Sequence, residues 1–563
     1  MGRVHEKVFF FLIFLFAFSP RLSISQDILP QEYKLLSEYL KSRDEKIGRD
    51  ILKSYPDAVF LEDLKLMLSE DAYARGDLKS ARSYLESINL SRLKPDLLSK
   101  YAELWKNLDL DKKKALLLDP TLFRDFIGSV DLDDDEAIGV AQKLIRHRYY
   151  YDALRVLSGV REKKACYYVG LAYMHAGDKE RAEETFQSCD DERGKLPLVG
   201  IYIKEDKEDK IRETILKLRS DPIRNSVLFL VGRHYLYKGD YQKAKEYISL
   251  MTDSYKKFFN LGLVSFIVGD YEDSIHNFIR AYYFASNESE ISQSCFWVYR
   301  SYVMEGREDA GLRYLVEATK GDGFYSAVAK LKVGESIAHR VLRRVFSDGG
   351  IPLQANVIKA IRDAGFYYYS RLEAFKRIDL LSPTDIIAIS RFDPFLAIRL
   401  ALRKYGSRSD VYNSVAFPLP YREYVYEASE RYGVSSQLVW AVMRQESLFD
   451  PFAVSISGAK GLMQLMDSTA RWMANKLGME LQNVLDPKIN VFLGTAYLKY
   501  LYEIWSGDLV KVLASYNAGE NKVRSWKSYD DPYLFIETIP FKETREYVKR
   551  VLYNYYVYKD LLQ

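Results

Sequence analysis

The sequence predicts an all-α protein, on three observations. Amphipathic helical patterning with few prolines runs almost without interruption from Gln26 to about Gly321. Through that stretch a short phrase recurs: an aromatic, a brief spacer, Gly, a polar residue, then a helix opening. After Phe417-Pro418-Leu419-Pro420, where two prolines forbid continuation of a helix, a further set of helical segments fills the C-terminal part. A chain of 563 residues is also too long for one core, so several domains are expected.

The recurring phrase reads AYARGDLKSARSYL from Ala72, AYMHAGDKERAEETF from Ala172 and YLYKGDYQKAKEYI from Tyr235. It returns as SFIVGDYEDSIHNFI from Ser265 and, more loosely, as YVMEGREDAGLRYL from Tyr302. Gly stops the first helix at a position of positive φ, and the Asp that follows it in four of the five instances caps the second. Gly239 to Gly269 spans 30 residues and Gly269 to Gly306 spans 37, close to the period of tetratricopeptide arrays, about 34. Such helix pairs bury their apolar faces only by stacking, so a tetratricopeptide-like superhelix is expected over 26–322. The aromatics, part of a total of 45 Tyr, serve inter-helix packing on this reading, with a peptide-binding groove as the alternative.

The first 25 residues combine Arg3 and Lys7, an unbroken apolar run from Val8 to Phe18, and small Ser23 and Ser25 before Gln26. This is the pattern of a cleavable export signal, and the run is shorter than the roughly 20 residues of a membrane-spanning helix. No Cys follows it to carry a lipid. The expectation is a periplasmic protein with no stable membrane insertion after cleavage, with an uncleaved anchor as the alternative. The net charge is +4, and loss of the three basic residues and one acidic residue of that segment leaves +2. No basic stripe stands out, which speaks against a nucleic-acid partner. Three cysteines, Cys166, Cys189 and Cys295, form neither a disulfide framework nor a metal motif. They read as small buried hydrophobes, with a Cys166–Cys189 bridge as the other option.

Past Pro420, one helix is expected within Tyr421–Tyr432, ended by Gly433, and a second after Ser435 or Ser436, reading QLVWAVMRQES. Leu438, Val442 and Glu446 fall on one stripe, with Val439 and Met443 beside it, which sets Glu446 on the buried face at the last turn. Burial and the negative end of the helix dipole both favour a neutral carboxylic acid there. The plain alternative is a Glu at the rim of the core that reaches water or Arg444. SISGAKGLMQLM from Ser455 supplies close turns at Gly458 and Gly461, with Gln464 and Met466 opening the next helix; lacking GK[ST], it is no phosphate loop. LDPKINVFLGTAYLKYLYEIW from Leu485 reads as a helix with Asp486-Pro487 at its start and Asn490 near its first turn. ASYNAG from Ala514 places Tyr516 and Asn517 where a helix stops at Gly519, and FIETIPFKETREYVKRVL from Phe535 closes the chain.

Taken together, RQESLF from Arg444, SGAKGLMQLM from Ser457, ASYNAG and IETIPFKETR from Ile536 resemble the large soluble lytic transglycosylases, lysozyme-like enzymes that cut the glycan strands of bacterial peptidoglycan. GFYSAVAKLKVG from Gly323 looks like the passage that ends their superhelix and opens a linker domain. The resemblance implies a signal peptide over 1–25, a superhelix over 26–322, a helical linker domain over 323–414 and a lysozyme-like catalytic domain over 415–563. It implies Glu446 as the acid and then base of a polysaccharide lyase, and Ser455, Gln464, Met466, Tyr516, Asn517 and Glu537 as substrate contacts. Tyr516 would place a hydroxyl and a ring near the carboxyl, although a plain helix C-cap explains the same segment. Glu537 would help bind the peptide-bearing sugar, or lead an ordinary surface life as a helix N-terminal acid.

One departure is visible. Where the family has Met-Pro-x-Thr-Ala, this chain has Met466-Asp467-Ser468-Thr469-Ala470. Asp467 can cap the helix that Pro would start, and it brings a further carboxylate toward Glu446. No cofactor and no metal is implied. The partners implied are peptidoglycan strands, with the superhelix offering a surface to cell-wall synthesis or division proteins. Two rival functions are a lysozyme-type hydrolase, with Asp450, Asp467 or Glu537 as second acid, and a non-catalytic wall-binding scaffold.

Overall fold

The computed structural model describes residues 28–160, 165–337 and 350–563. The expected export signal and its cleavage site lie outside these residues. Among the described residues the chain forms 32 α-helices and no β-strand; its extended pairing consists of two isolated bridges, Val454 with Lys460 and Lys460 with Leu465. No helix among them is long and apolar enough to cross a membrane. The all-α expectation holds.

The recurring phrase does what its residues dictate. Gly76, Gly177, Gly239, Gly269 and Gly306 all stand at φ between 79° and 92°, a conformation closed to most side chains. Each of the four following acids caps the next helix: Asp77 accepts from the Ser80 amide, Asp178 from Arg181, Asp240 from Lys243 and Asp270 from Asp273. The small residues behind them, Ala81, Ala182 and Ala244, are fully buried where paired helices meet.

The helices gather into two compact units. The first comprises the described residues up to Gly194 together with those from 350 to Ser407. Its two stretches share a core in which Tyr33, Leu36, Phe60 and Leu64 pack with Ile361. The Tyr369 hydroxyl donates to Asp63, and Arg371 pairs with the buried Asp393 at 2.7 Å. Cys166, on the helix Ala165–Ala176, is bridged to Cys189 at the end of the helix Lys179–Ser188. This corrects the reading of both as plain buried hydrophobes: a hairpin of adjacent helices brings their Cα atoms to 5.6 Å, within bonding range. Cys295 is buried and free, and burial pushes its thiol up to about 12, leaving it inert.

The second unit comprises Lys195–Ile337 and Arg408–Gln563. Its array helices include Asp221–Lys238, Tyr255–Val268, Glu288–Met304 and Phe324–Val333. The last of these packs on the closing helix Lys542–Leu562, where Ala327, Ile337 and Val557 form one cluster. The break at Phe417–Pro420 separates the helices Asp410–Val415 and Arg422–Tyr432, as two prolines require.

The bridge yields a stability prediction. Closing a loop with a sequence separation of 23 should contribute about 3 kcal/mol to the first unit by restricting its unfolded chain. Urea unfolding of Cys166→Ser or of the reduced protein is expected to show a correspondingly lower midpoint for one transition, with the other unit's transition unmoved.

Candidate active site

The Ser436–Ser447 helix opens where Ser435 accepts from the Leu438 amide, and Leu438, Val439, Trp440, Val442 and Met443 bury its apolar face. Glu446 stands partly buried in its last turn. The helix ends abruptly. Leu448 and Phe449 are both left-handed, at φ 50° and 70°, and non-glycine residues hold that conformation only when their surroundings enforce it. The enforcement is local: Ser447 donates to the Leu462 carbonyl at 2.8 Å, and Phe449 is buried.

Tyr547, on the Lys542–Leu562 helix, donates its hydroxyl to Glu446 Oε1 at 2.7 Å. Burial pushes the Glu446 carboxyl up to about 7, while this hydrogen bond favours the charged form and pulls it down. No other carboxylate among the described residues contributes to that balance. The alternative of a rim Glu pairing with Arg444 fails, because Arg444 turns away to the Ala416 carbonyl, the Asn554 amide and the Tyr412 hydroxyl.

A glycine-rich turn follows Glu446 in the chain. Gly458 and Gly461 stand at φ 87° and 76°, and a Cβ on Gly461 would sit 2.5 Å from the Asn490 amide nitrogen. That closeness is needed, since Asn490 is fully buried and accepts from the Met463 amide while donating to the Lys460 and Val484 carbonyls. Ser455 closes the outer turn by accepting from the Ala459 amide at 3.0 Å. Gln464, expected to help open the next helix, instead occupies the turn at φ 48° and donates to the Ala453 and Gly461 carbonyls. Met466 is the capping position of the helix Asp467–Lys476 and is exposed.

Asp467 differs from the expectation in two ways. It is the first residue of its helix rather than the cap, and both its carboxylate oxygens accept from Lys460 at 2.9 Å. That ion pair holds it as part of the turn and takes no part in setting the Glu446 proton. Tyr516 sits near Glu446 electrostatically, yet its hydroxyl donates to the Met463 carbonyl at 2.9 Å and not to the carboxyl. Asn517 is exposed and accepts from the Thr544 hydroxyl at 2.7 Å.

Glu537 overturns the surface reading. It lies near the end, not the start, of the helix Pro532–Thr538 and is only 3% exposed. Its carboxylate accepts from Lys549 at 2.7 Å, from the Gln293 amide at 2.7 Å and from the Tyr325 hydroxyl. Burial raises its pKa, but Lys549 and Arg545 outweigh burial and hold it below the usual carboxylate range. Arg233, also buried, donates to the Glu537 carbonyl at 2.7 Å and to Asn260 and Tyr237.

Sequence reasoning missed Tyr547. Its signal was a Tyr inside the buried stripe of Thr544, Val548, Val551 and Leu552, since a buried Tyr hydroxyl needs a partner. Nothing in the spacing says that the partner is Glu446.

The C-terminal helices thus carry one carboxyl, raised by burial, at a helix end ahead of a glycine-rich turn. Residues 423–537 match the family described as Transglycosylase SLT domain, and residues 538–563 match the Soluble lytic transglycosylase helical domain. The Soluble lytic murein transglycosylase of Escherichia coli K12 is 28% identical over 271 residues, covering 46% of this chain and 42% of that protein. The chain thus matches less than half the length of that relative. The Putative soluble lytic murein transglycosylase of Haemophilus influenzae is 38% identical over 153 residues, 26% of each chain. Two solved structures share the fold: the 70 kDa soluble lytic transglycosylase of Escherichia coli, at TM-score 0.64 and 18% identity, and an inactive mutant of the lytic transglycosylase of Pseudomonas aeruginosa, at 0.59 and 19%. Each comparison covers 94% of this chain and 91% of the other. Residues 423–563 are thus similar in sequence to the soluble lytic transglycosylases.

The buried ion pair yields a prediction of its own. Lys549→Met leaves the Glu537 carboxylate buried without its cation, which should cost roughly 3–5 kcal/mol. Thermal unfolding of the second unit is expected to show that loss, and Lys549→Met with Glu537→Leu is expected to recover most of it.

Proposed function

We propose that this protein is a peptidoglycan lytic transglycosylase that cuts between N-acetylmuramic acid and N-acetylglucosamine and leaves 1,6-anhydro ends. The observation that carries the reading is a single carboxyl, Glu446, raised to about 7, whose hydrogen-bond partner is the Tyr547 hydroxyl. Such a group can donate a proton near neutrality and take one back, the requirement for one residue acting as acid and then base.

In the first step Glu446 protonates the glycosidic oxygen, the bond to the muramic C1 breaks, and the substrate's own acetamido oxygen stabilises the developing cation. Glu446, now a carboxylate, holds the Tyr547 hydrogen bond that favours its charged form. In the second step it removes the proton from the muramic C6 hydroxyl, whose oxygen closes on C1. No water enters, and the proton gained balances the proton spent. Ser455, Gln464, Met466, Tyr516 and Asn517 are the proposed sugar contacts. Glu537 is assigned to fixing the Lys542–Leu562 helix, since Gln293, Tyr325 and Lys549 occupy its carboxylate.

A water-using hydrolase is less well supported. Asp467 is neutralised by Lys460, Glu537 by Lys549, and the Asp450 carboxylate accepts from the Phe452 amide. The wider reading includes export through residues 1–25, a periplasmic location, and glycan strands as the partner.

Reducing-end analysis of digested peptidoglycan tests the proposal. Anhydro ends are expected; free reducing ends would mean a hydrolase, and uncut strands a scaffold. Glu446→Gln should lower cutting by at least roughly 10²-fold while leaving the fold intact. Because the acid must be protonated and titrates at about 7, kcat/KM is expected to fall as pH rises through 7, by about tenfold per unit beyond it.

A further inference from the structure

The hydroxyl proton of Tyr516 is already committed. A phenol has one proton to donate, and here it goes to the Met463 carbonyl at 2.9 Å. Burial raises this phenol well above its ordinary value and the nearby Glu446 charge adds to that, so Tyr516 remains a donor wherever the acid titrates. Glu446 accepts from Tyr547 at 2.7 Å and not from Tyr516.

The Met463 carbonyl is fixed by a side chain on another helix, Asn490 of Pro487–Ile504. Asn490 Oδ1 accepts from the Met463 amide at 2.7 Å, and its Nδ2 donates to the Lys460 carbonyl at 3.0 Å and the Val484 carbonyl at 2.8 Å. Met463 is thus gripped at both ends, its N–H by Asn490 and its C=O by Tyr516. Its side chain is seated as well, since a Cβ on Gly494 would stand 2.4 Å from the Met463 sulfur. The turn is tied to the acid's own helix because Ser447, the residue after Glu446, donates to the Leu462 carbonyl at 2.8 Å. Asn490 is fully buried, so it acts only through these bonds.

We propose that Asn490 is a positioning residue: by fixing the Met463 peptide it keeps the Tyr516 hydroxyl turned away from Glu446. The groups that face the acid make the consequence specific. Tyr547 reaches it from the helix Lys542–Leu562 and Tyr516 neighbours it from Leu509–Ala518, while Arg550 acts through Tyr547 and bonds Gln445 at 3.1 Å. Beyond these, no titratable group among the described residues weighs on Glu446. A Tyr516 hydroxyl released from Met463 has the Glu446 carboxylate as its strongest neighbouring acceptor, because hydrogen bonds to an ionised acceptor are the stronger ones. That second bond would favour the charged form and lower the proton affinity of the acid. The inference rests on the proposed function only for the use made of the proton.

The test titrates Glu446 in the full chain without substrate, by carboxyl carbon NMR with Glu446→Gln as the assignment control. Asn490→Ala is expected to lower the midpoint from about 7 to roughly 6, a tenfold change in proton affinity. Tyr516→Phe alone should leave the midpoint in place, and Asn490→Ala with Tyr516→Phe should return it to about 7. Water entering a loosened turn would also lower the midpoint, but removing the Tyr516 hydroxyl would not undo that. Should Asn490→Ala fail to fold, Gly461→Ala replaces it, since the added Cβ would stand 2.5 Å from Asn490 Nδ2 and displace that amide. A folded variant with an unmoved midpoint overturns the proposal. So does a midpoint that stays low in the double variant, or one that rises in Tyr516→Phe. Peptidoglycan cutting by the wild-type chain is followed separately, and its absence sinks the proposed activity while leaving the positioning role standing.

Discussion

The contact on which the rest of this structure depends is the 2.7 Å hydrogen bond from Tyr547 to Glu446. It joins two helices that are distant in sequence, and it sets opposing demands on one carboxyl. Burial favours the protonated carboxyl, while the phenol hydroxyl favours the anion. The balance is geometric, so whatever places the two helices also sets the proton affinity of Glu446.

Several contacts place them. Arg444 and Asn554 bond across the two helices at 3.0 Å, and the Asn554 amide also reaches the Ala441 carbonyl. On its other face the Lys542–Leu562 helix is anchored by Lys549 to Glu537, by Arg545 to the Ile539 carbonyl, and by Tyr556 stacked on Phe324. Glu537 in turn is held from the array by Gln293 and Tyr325. Two buried ions side by side are costly to desolvate, and removing either one leaves the other buried and uncompensated. The helical array is thereby part of the physical support of the site, not only a spacer.

What could be read from the sequence was what local rules decide. The Gly–Asp phrase of the array required only a left-handed stop and a capping side chain, and both appear wherever the phrase does. The stripe of Leu438, Val442 and Glu446 needed only helical periodicity. The disulfide, the inward turn of Glu537, the pairing of Asp467 with Lys460 and the role of Tyr547 were not legible in the same way. Each depends on a partner in another element, and single-residue chemistry leaves several partners equally allowed. Asp467 shows this most simply. Its type and position predicted a cap, but an ammonium seven residues earlier, folded back by the Gly458–Gly461 turn, offered a stronger interaction.

The central claim is that burial lifts the Glu446 carboxyl to titrate at about 7. The most direct measurement is its titration in the intact protein, by carboxyl carbon NMR on glutamate-labelled chain with Glu446→Gln used to assign the resonance. A midpoint at about 7 is the result this account predicts. A Glu446 that ionises near the ordinary glutamate value of about 4.3 would contradict it.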